Sequence, residues 1–316
     1  MAAVTFQDEQ PNILRSTKIF GYREGRRGWR HMSARKYEEQ VDHPSSIQLV
    51  TWNLDHRAPN PKGRIFMALR HLETYVFKCN DGQSPVACCI MLQEVHPDAL
   101  QCLLDDPWIR RHFVVTPVTT DKWRHGYGNV TLVARTVVVV FAGTLNFGYS
   151  SAGRGAIVVD LKVSSPRANE PQDMVLRMIN THLEPGALGI RMRRVQLGVL
   201  SSLLREKEHV RGGVIAGGMN AVSPEDFNLP TSHRLMDAWI FPNKNPSGIT
   251  WGLQDSGDLP PARLDKVLYV ERRKAYTIDS PKRIGMGLLT FDESGTRNGW
   301  VSDHFGLLTR LLVRAR

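Results

Sequence analysis

Several apolar stretches of this chain end in side chains that can bind metal ions or exchange protons. Each stretch has the character of a strand, and a carboxylate, an imidazole or an amide stands where it ends. A single polar residue at a strand end is usually a cap or a turn former. Because a sheet brings its strand ends together, so many of them predict one shared cleft. The groups are Asn53, Asp55, Glu94, His182, Asn220, Asp265 and the pair Asp303–His304.

The chemistry of these groups is coherent. Carboxylate and amide oxygens without thiolate partners suit a hard cation such as Mg²⁺, which prefers near-octahedral oxygen ligands. Glu94 is the natural ligand among them. Charged histidines and amide donors suit a phosphoryl centre, since its oxygens gain or redistribute charge as water attacks in line. The set therefore predicts hydrolysis of a phosphoester.

The elements that must position these groups are strands and amphipathic helices. Residues 47–54 and 87–95 are typical of buried strands, and residues 188–206 of an amphipathic helix that leads into a strand at 213–216. This alternation, with many strands in the middle of the chain, predicts one compact mixed α/β domain over residues 47–316. A further helical face is predicted from Ile65, Phe66, Leu69, Leu72 and Val76.

Residues 1–46 are polar and basic, and we treat them as a separate N-terminal segment. We expect this segment to be accessory and only partly ordered, with regular structure beginning at Ile47. A nucleic-acid-binding arm is the alternative interpretation. Its basic side chains surround Trp29 and are Arg23, Arg26, Arg27, Arg30, Arg35 and Lys36.

The composition favours an anionic partner. The 316 residues include 41 Lys plus Arg against 31 Asp plus Glu, a formal net charge of +10, which points to nucleic acid or phosphorylated substrates. The 4 cysteines show no metal-binding spacing and indicate reduced core thiols. No segment has the pattern of a signal peptide or the ~18 apolar residues of a membrane span. We therefore expect a nuclear or cytoplasmic monomer that does not contact membranes.

Six motifs, in this order and at these intervals, resemble those of the endonuclease/exonuclease/phosphatase superfamily. The resemblance covers about residues 47–313. Within the superfamily the chain is most similar to the 5′-tyrosyl-DNA phosphodiesterases, helped by ITW at 249–251. Phosphoinositide phosphatases, sphingomyelinases and deadenylases share part of the pattern. The six motifs are TWNLD, LQEV, NTHLEP, GGMNA, RLDKV and SDHFGLL.

The resemblance implies a four-layer α/β/β/α sandwich of two mixed sheets flanked by helices, with one Mg²⁺ site at one edge. Mn²⁺ is the alternative ion. Glu94 would bind the metal, with Asp55 and Asp303 supporting the ion or its waters. Asn53 would contact the metal shell or the phosphate. The implied partner is a single strand or a 5′ end of DNA.

The resemblance also implies catalytic and substrate-binding roles. His304 would stabilise the phosphoryl oxygens, and Asp265 would orient its ring and favour its charged form. His182 would contact the scissile phosphate or the leaving group, and Asn220 would position the attacking water. The substrate-binding positions would be Tyr127, Asn129, Trp251 and Arg263. An ordinary core aromatic is the alternative for Trp251, and a turn-shaping role is the alternative for Tyr127 and Asn129.

Position 218 departs from the family pattern. The family motif Gly-Asp-x-Asn has an aspartate that takes the proton of the attacking water or orients that water, and this chain has Gly218 there. Loss of a positioned base typically lowers a rate by about 10²–10⁴. The resemblance therefore predicts a Mg²⁺-dependent phosphodiester hydrolase that acts on DNA ends with impaired activity.

Other interpretations of Gly218 stay open. The chain can be a pseudoenzyme that binds nucleic acid or phosphate without turnover, or a phosphatase of the same fold with another substrate. The substitution can also be a change in an otherwise competent enzyme. A replacement base can come from Glu225 or Asp226, although SPED at 223–226 is typical of a helix start, where we expect these carboxylates to act as caps.

Overall fold

Two mixed β-sheets lie face to face, with helices outside them. This architecture confirms the predicted four-layer sandwich. The structure is a computed structural model that describes residues 10–33, 43–80, 82–165, 173–206, 209–239, 248–254, 259–272, 274–291 and 294–314. Arg35 and Lys36 of the predicted basic cluster lie outside these described residues.

The central strands are buried on both faces, so their sequences are nearly continuous apolar runs rather than alternating ones. Within the described residues the strands are β1 (Arg15–Ser16), β2 (Phe20–Arg23), β3 (Gly28–His31), β4 (Ser46–Asn53), β5 (Cys88–Val95), β6 (Phe113–Thr116), β7 (Gly128–Ala134), β8 (Val139–Asn146), β9 (Gly155–Ser164), β10 (Asp173–His182), β11 (Gly212–Gly218), β12 (Met236–Asp237), β13 (Asp265–Glu271), β14 (Tyr276–Ile278), β15 (Lys282–Ile284), β16 (Leu289–Phe291), β17 (Arg297–Trp300) and β18 (Gly306–Val313).

The described strands form two large sheets and one small ribbon. The order of the first sheet is β1-β8-β9-β10-β11-β13-β12, and that of the second is β14-β18-β4-β5-β7-β6-β2-β3, with β15 also paired to β18. The ribbon is β16-β17. Each large sheet has a parallel pair near its centre, β10 with β11 and β4 with β5.

Side-chain caps begin three of the described helices, and the helix Pro97–Asp105 is capped by His96, which accepts a hydrogen bond from the Asp98 amide at 3.2 Å. The Asn60 side chain accepts a hydrogen bond from the Gly63 amide, and Asp106 accepts two from the first turn of its helix. The helices are α1 (Pro61–His71), α2 (Pro97–Asp105), α3 (Pro107–His112), α4 (Ile190–Leu204) and α5 (Leu229–Ser232); a π-helical turn (Leu72–Val76) continues α1, and 3-10 turns cover Glu24–Arg26, Ala187–Gly189 and Pro224–Asn228. No helix in the described part of the chain is long and apolar enough to span a membrane.

The predicted helical faces are only partly buried. Ile65 and Leu69 of α1 are buried, but Phe66 is 50% exposed, so its predicted place on the buried face is wrong. Leu200 of α4 is buried, whereas Val195 is 43% exposed. The prediction of reduced core thiols is confirmed for Cys79, Cys88 and Cys89, which are buried free thiols, whereas the free thiol Cys102 is only half-buried.

A buried polar bridge joins the two sheets beneath the strand ends that carry the candidate site. The amide nitrogen of Asn180 in β10 donates to the carbonyl oxygens of Leu92 (3.1 Å) and Val130 (3.0 Å). Gln93 in β5 donates to the Asn180 side-chain oxygen at 2.8 Å. Unpaired amides would be costly at this depth, so these bonds favour one alignment of the two sheets.

Regular structure begins earlier than the sequence predicted. β1 pairs with β8 of the first sheet, and β2 pairs with β6 of the second. Trp29 in β3 donates to the carbonyl oxygen of Leu104 at 3.2 Å and packs on the core. The expectation that regular structure begins at Ile47 is therefore wrong, because strands within residues 15–31 pair with strands that are distant in sequence.

Candidate active site

The candidate active site lies at one edge of the sandwich. β4 and β5 are parallel, as are β10 and β11, so each pair ends on one side of its sheet. The antiparallel neighbours β7, β13 and β18 begin where those strands end. The two edges meet, because Oε1 of Glu94 in β5 lies 3.5 Å from Nδ1 of His182 in β10. The structure thus brings carboxylates and imidazoles of both sheets together.

Asp265 and His304 form a buried pair in this edge. Nδ1 of His304 lies 2.7 Å from Oδ2 of Asp265. Burial alone would lower the pKa of His304, but Asp265, with help from the negative charges of Asp303 and Glu94, raises it to about 9. The ring is therefore charged at neutral pH, and its Nε2–H is available to an anionic group.

Glu94 lies among hydrogen-bond donors and positive charges. Oε2 is 2.8 Å from Nδ1 of His56, and Oε1 is 3.9 Å from Nη1 of Arg154. Burial alone would raise the pKa of Glu94, but the His56 hydrogen bond and the charge of Arg154 lower it well below its usual range. Glu94 has φ 53°, where the register of β5 with β7 shifts, and this irregularity turns its side chain toward the edge.

Asp303 and Asp55 add two carboxylates beside Glu94. Burial raises the pKa of Asp303; His304 opposes this shift, while the negative charges of Asp55 and Glu94 add to it. Oδ2 of Asp303 accepts a hydrogen bond from Nε1 of Trp251 at 2.8 Å. Oδ1 of Asp303 is buried without a hydrogen-bond partner.

These carboxylates have the chemistry of a hard-cation site. A buried carboxylate oxygen without a hydrogen bond is costly, and a divalent cation would stabilise it more directly than Nε2 of His304, which lies 3.8 Å away. The described residues contain no group of three His, Cys, Asp or Glu side chains already spaced to hold a metal ion. Glu94 is bonded to His56 instead. An ion bound by Asp55, Glu94 and Asp303 would have to share or replace that contact.

His182 fills the space beside Gly218. A Cβ atom at position 218 would lie 2.6 Å from Cδ2 and 2.8 Å from Nε2 of His182. Nη1 of Arg154 lies 2.8 Å from Nδ1 of His182 and can only donate, so Nδ1 accepts and the ring proton is on Nε2. Burial, with the charge of Arg154, lowers the pKa of His182 to about 3. The neutral ring offers a hydrogen-bond donor at Nε2, and its acceptor Nδ1 is already engaged by Arg154.

The two predicted asparagines are engaged with neighbouring backbone. Oδ1 of Asn53 accepts a hydrogen bond from the Asp55 amide at 2.9 Å, which shapes the turn after β4. Nδ2 of Asn220 donates to the carbonyl oxygen of Leu183 at 2.8 Å, joining the ends of β10 and β11. Both side chains are buried at the site edge. Their roles toward a metal ion, phosphate or water stay predictions.

The predicted substrate-binding residues lie in different surroundings. The Tyr127 ring stacks on the His56 ring at 3.7 Å between centroids, and Tyr127 and Asn129 both line a cavity at the site. Trp251 reaches the site through Asp303. Arg263 instead makes two hydrogen bonds to Asp237, at 2.6 and 2.8 Å, which occupy its guanidinium group.

Sequence reasoning missed three residues of the site. His56 contacts Glu94, and Arg154 contacts His182. Arg64 is buried and donates to the carbonyl oxygens of Leu54 and Val301, which ties the end of β4 to the segment before His304. His56 directly follows Asp55 and Arg154 lies in a Gly-Arg-Gly triplet at the start of β9, so weak signals existed for both.

Asp226 and Glu225 are the two carboxylates that the sequence offered as replacement bases. The structure gives Asp226 a structural role. Asp226 accepts bonds from the amide and hydroxyl of Ser223 in a capping box, which confirms the predicted capping role for this residue. Its carboxylate also receives two bonds from the buried Arg193, at 2.8 and 2.7 Å. Glu225 is exposed. Asp226 is therefore occupied as an acceptor and is not free to serve as a base.

We expect Asp226→Asn to lower the free energy of unfolding by about 3–5 kcal/mol, because it leaves the buried Arg193 without its partner. Burial alone would raise the pKa of Asp226, but Arg193 and Ser223 lower it. The stabilisation is therefore present above the unfolded-state pKa of about 3.9 and is lost as the pH falls through the lower folded-state value. Urea unfolding at neutral and acid pH measures both effects.

The exposed neighbour provides a matched control. Glu225→Gln should change the free energy of unfolding by less than about 0.5 kcal/mol. A loss below about 1 kcal/mol in Asp226→Asn would show that the Asp226–Arg193 pair does not contribute the stability expected of a buried ion pair.

Solved structures share this fold and include endonuclease/exonuclease/phosphatase proteins. One from Bacteroides vulgatus is 15% identical, with a TM-score of 0.59, over 85% of this chain and 99% of that one. The chain thus has the fold of that superfamily, which confirms the resemblance read from the motifs at the level of fold. No family model matches the chain, and no curated protein matches its sequence.

TDP2 structures are among these neighbours. Danio rerio TDP2, complexed with a single-strand DNA product, is 19% identical with a TM-score of 0.64, over 84% of this chain and 99% of that one. Caenorhabditis elegans TDP2 is 18% identical with a TM-score of 0.62, over 85% and 74%. At this identity the neighbours show that this chain shares their fold.

Proposed function

We propose that this chain is a divalent-metal-dependent phosphodiester hydrolase that acts on DNA ends in the manner of a 5′-tyrosyl-DNA phosphodiesterase, slowed by Gly218. The observation that carries the proposal is the charged His304, held by Asp265 at 2.7 Å, beside the carboxylates of Glu94 and Asp303. A fixed cation next to a hard-cation site suits the charge that develops on a phosphoryl group.

Each group has a distinct task in this proposal. Nε2–H of His304 donates to a phosphoryl oxygen, and Asp265 keeps the ring oriented and charged. Nε2–H of His182 donates to a second oxygen, with Arg154 holding the ring in that tautomer. Mg²⁺ or Mn²⁺, held by Asp55, Glu94 and Asp303, would polarise the phosphoryl group when bound.

The net charge of +10 supports nucleic acid as the partner. The neighbouring Danio rerio TDP2 is complexed with a single-strand DNA product, so we propose a single strand or a 5′ end as the ligand of this cleft. A monomer acting in the nucleus or cytoplasm, without membrane contact, stays a prediction from the sequence.

The test is release of tyrosine from a 5′-phosphotyrosyl oligonucleotide with Mg²⁺ or with EDTA. We expect slow release that EDTA abolishes and that Glu94→Gln lowers by about 10² or more, since a neutral amide is a poorer metal ligand than a carboxylate. Asp279→Asn, which alters an exposed carboxylate paired with Arg310, should leave the rate unchanged.

Two results would contradict the proposal. Release that persists in EDTA would remove the metal from the reaction. No release by the protein or by its Gly218→Asp variant would reject this substrate. Release of phosphate from inositol phosphates, or of phosphorylated head groups from lipids, would then test other phosphoesters as substrates.

A second candidate function is phosphate or nucleic-acid binding without turnover. The observation that favours it is the His182 ring, which occupies the space that a side chain at position 218 would need. This alternative predicts salt-sensitive binding of oligonucleotides and no hydrolysis. Binding that does not change with salt would count against it.

A further inference from the structure

The imidazole of His56 lies directly against the carboxylate of Glu94, and the proposed function gives it no task. Nδ1 of His56 lies 2.8 Å from Oε2 of Glu94, and the backbone amide of His56 lies 3.4 Å from the same oxygen. The other oxygen, Oε1, has different neighbours, which are Nδ1 of His182 at 3.5 Å and Nη1 of Arg154 at 3.9 Å. An ion bound at Oε2 would therefore meet the nitrogen of His56.

The distance between these two atoms is also the distance between neighbouring ligands of a metal ion. Ligand atoms that lie about 2.0–2.1 Å from an ion, at right angles to each other, are about 2.8–3.0 Å apart. Nδ1 of His56 and Oε2 of Glu94 are separated by 2.8 Å. A divalent ion beside the pair can therefore bind both atoms at their present separation, once each group turns its lone pair toward the ion.

The ring of His56 is held in this orientation by its neighbours. It stacks on the ring of Tyr127, with 3.7 Å between the ring centres and 20° between the planes. The Arg154 guanidinium lies 5.7 Å from the centre of the Tyr127 ring and helps to fix it. The His56 side chain is 24% exposed, so an ion from solvent can reach it. The ring therefore needs little ordering before it binds.

The backbone that carries His56 and Glu94 has an unusual conformation. Asp55 has φ 45° and Glu94 has φ 53°, in the left-handed region that few non-glycine residues adopt. Oδ1 of Asn53 accepts a hydrogen bond from the Asp55 amide at 2.9 Å, and Nη2 of Arg64 donates to the Asp55 carbonyl oxygen at 2.6 Å. Backbone held in such sparsely populated regions is concentrated at ligand-binding sites. The turn thus presents Asp55 and His56 together beside Glu94.

We propose that His56 is a ligand of the divalent ion at this site and binds it through Nδ1, next to Oε2 of Glu94. The inference rests on the proposed function for the presence of the ion, and it adds a nitrogen to the carboxylate ligands. Nδ1 must lack a proton to bind, so the bound ring carries its proton on Nε2. Imidazole nitrogen suits transition ions, whereas Mg²⁺ prefers oxygen ligands. The site therefore prefers Mn²⁺ and Co²⁺ to Mg²⁺.

The direct test is pulsed electron paramagnetic resonance of the full chain loaded with Mn²⁺ alone. A ligand nitrogen couples to the electron spin of Mn²⁺, and an oxygen ligand gives no such coupling. We expect a nitrogen coupling in the unaltered protein that changes when its histidines are labelled with ¹⁵N. We expect the coupling to be lost in His56→Phe, which keeps a ring to stack on Tyr127 but has no nitrogen.

Calorimetric titration of the metal-free protein with Mn²⁺, Co²⁺ and Mg²⁺ measures the selectivity. His56→Phe should weaken binding of Mn²⁺ and Co²⁺ by about tenfold or more, at least the loss that is typical when a group supporting a metal ligand is removed. Binding of Mg²⁺ should weaken less, so the preference for transition ions should shrink. His56→Gln keeps a hydrogen-bond donor for Glu94 without an imidazole and should lose the same preference.

A histidine outside the site provides the matched control. His31→Ala removes an exposed imidazole from β3, the last strand in the order of the second sheet, and should bind the three ions as the unaltered protein does. Mn²⁺ that binds without a nitrogen coupling, or a coupling that persists in His56→Phe, would overturn the inference. Tighter binding of Mn²⁺ by His56→Phe would show instead that the ring competes with the ion for Glu94. No binding of Mn²⁺ to the unaltered protein would remove the ligand role altogether.

The outcomes separate this inference from the proposed function. Nitrogen coupling and selectivity that depend on His56, without hydrolysis of any oligonucleotide, keep the ligand and reject the proposed chemistry. Release of tyrosine that EDTA abolishes, by a protein whose bound Mn²⁺ shows no nitrogen coupling, keeps the proposed chemistry and rejects the ligand.

Discussion

The Gly218→Asp variant should release tyrosine from a 5′-phosphotyrosyl oligonucleotide about 10²–10⁴ times faster than Gly218→Ala. This factor is the typical rate enhancement by a positioned general base. The His182 ring lies 2.6 Å from where a Cβ atom at position 218 would be, so any side chain there must displace it. Alanine forces the same displacement without the carboxylate. The ratio of the two rates therefore isolates the proton acceptor from the steric effect.

Thermal unfolding of the protein and both variants provides the control. The two variants should lose similar stability, because the displaced ring is the same in each. Equal rates for Asp and Ala at position 218 would show that a carboxylate there does not act as a base. Activity of the unaltered protein that already matches the Asp variant would show that another group accepts the proton.

Asp265→Asn should lower the rate by about 10²–10³, the typical loss when one preorganised donor to the transition state is removed. Without the carboxylate, burial would lower the pKa of His304, and the ring would lose its charge at neutral pH. The measurement is made in the Gly218→Asp protein, whose higher rate leaves room to see a loss. His304→Gln should cause a similar loss.

The rate losses caused by Asp265→Asn and by His304→Gln should not be additive. If Asp265 acts only through His304, the double variant should be as slow as His304→Gln alone. Asp279→Asn, which alters an exposed carboxylate paired with Arg310 on the surface, is the matched control and should leave the rate unchanged. Full activity in Asp265→Asn with a large loss in His304→Gln would remove the positioning role of Asp265.

The strands that carry the site could be predicted from local sequence. Residues 47–54 and 87–95 were expected as buried strands, and the structure has Ser46–Asn53 and Cys88–Val95 there. Their apolar runs are distinctive because both faces are covered. The helix at 188–206 was likewise predicted and extends over Ile190–Leu204.

Other features could not be predicted from neighbouring residues. Phe66 and Val195 have the spacing of core positions but remain exposed, because burial depends on what packs against a helix. Residues 15–31 have a basic, polar composition and still form strands, since their partners are β6 and β8, far away in sequence. Strand pairing satisfies the backbone N–H and C=O groups of these residues whatever their side chains are.

The sequence by itself determined which chemically active side chains stand at the strand ends, and that position 218 has no carboxylate. Only the tertiary structure decided their partners. His56 meets Glu94 across 38 residues, and Arg154 meets His182 across 28. The physical reason is that periodicity along the chain records which face of an element is apolar, whereas contacts between elements depend on the pairing and packing of strands that are distant in sequence.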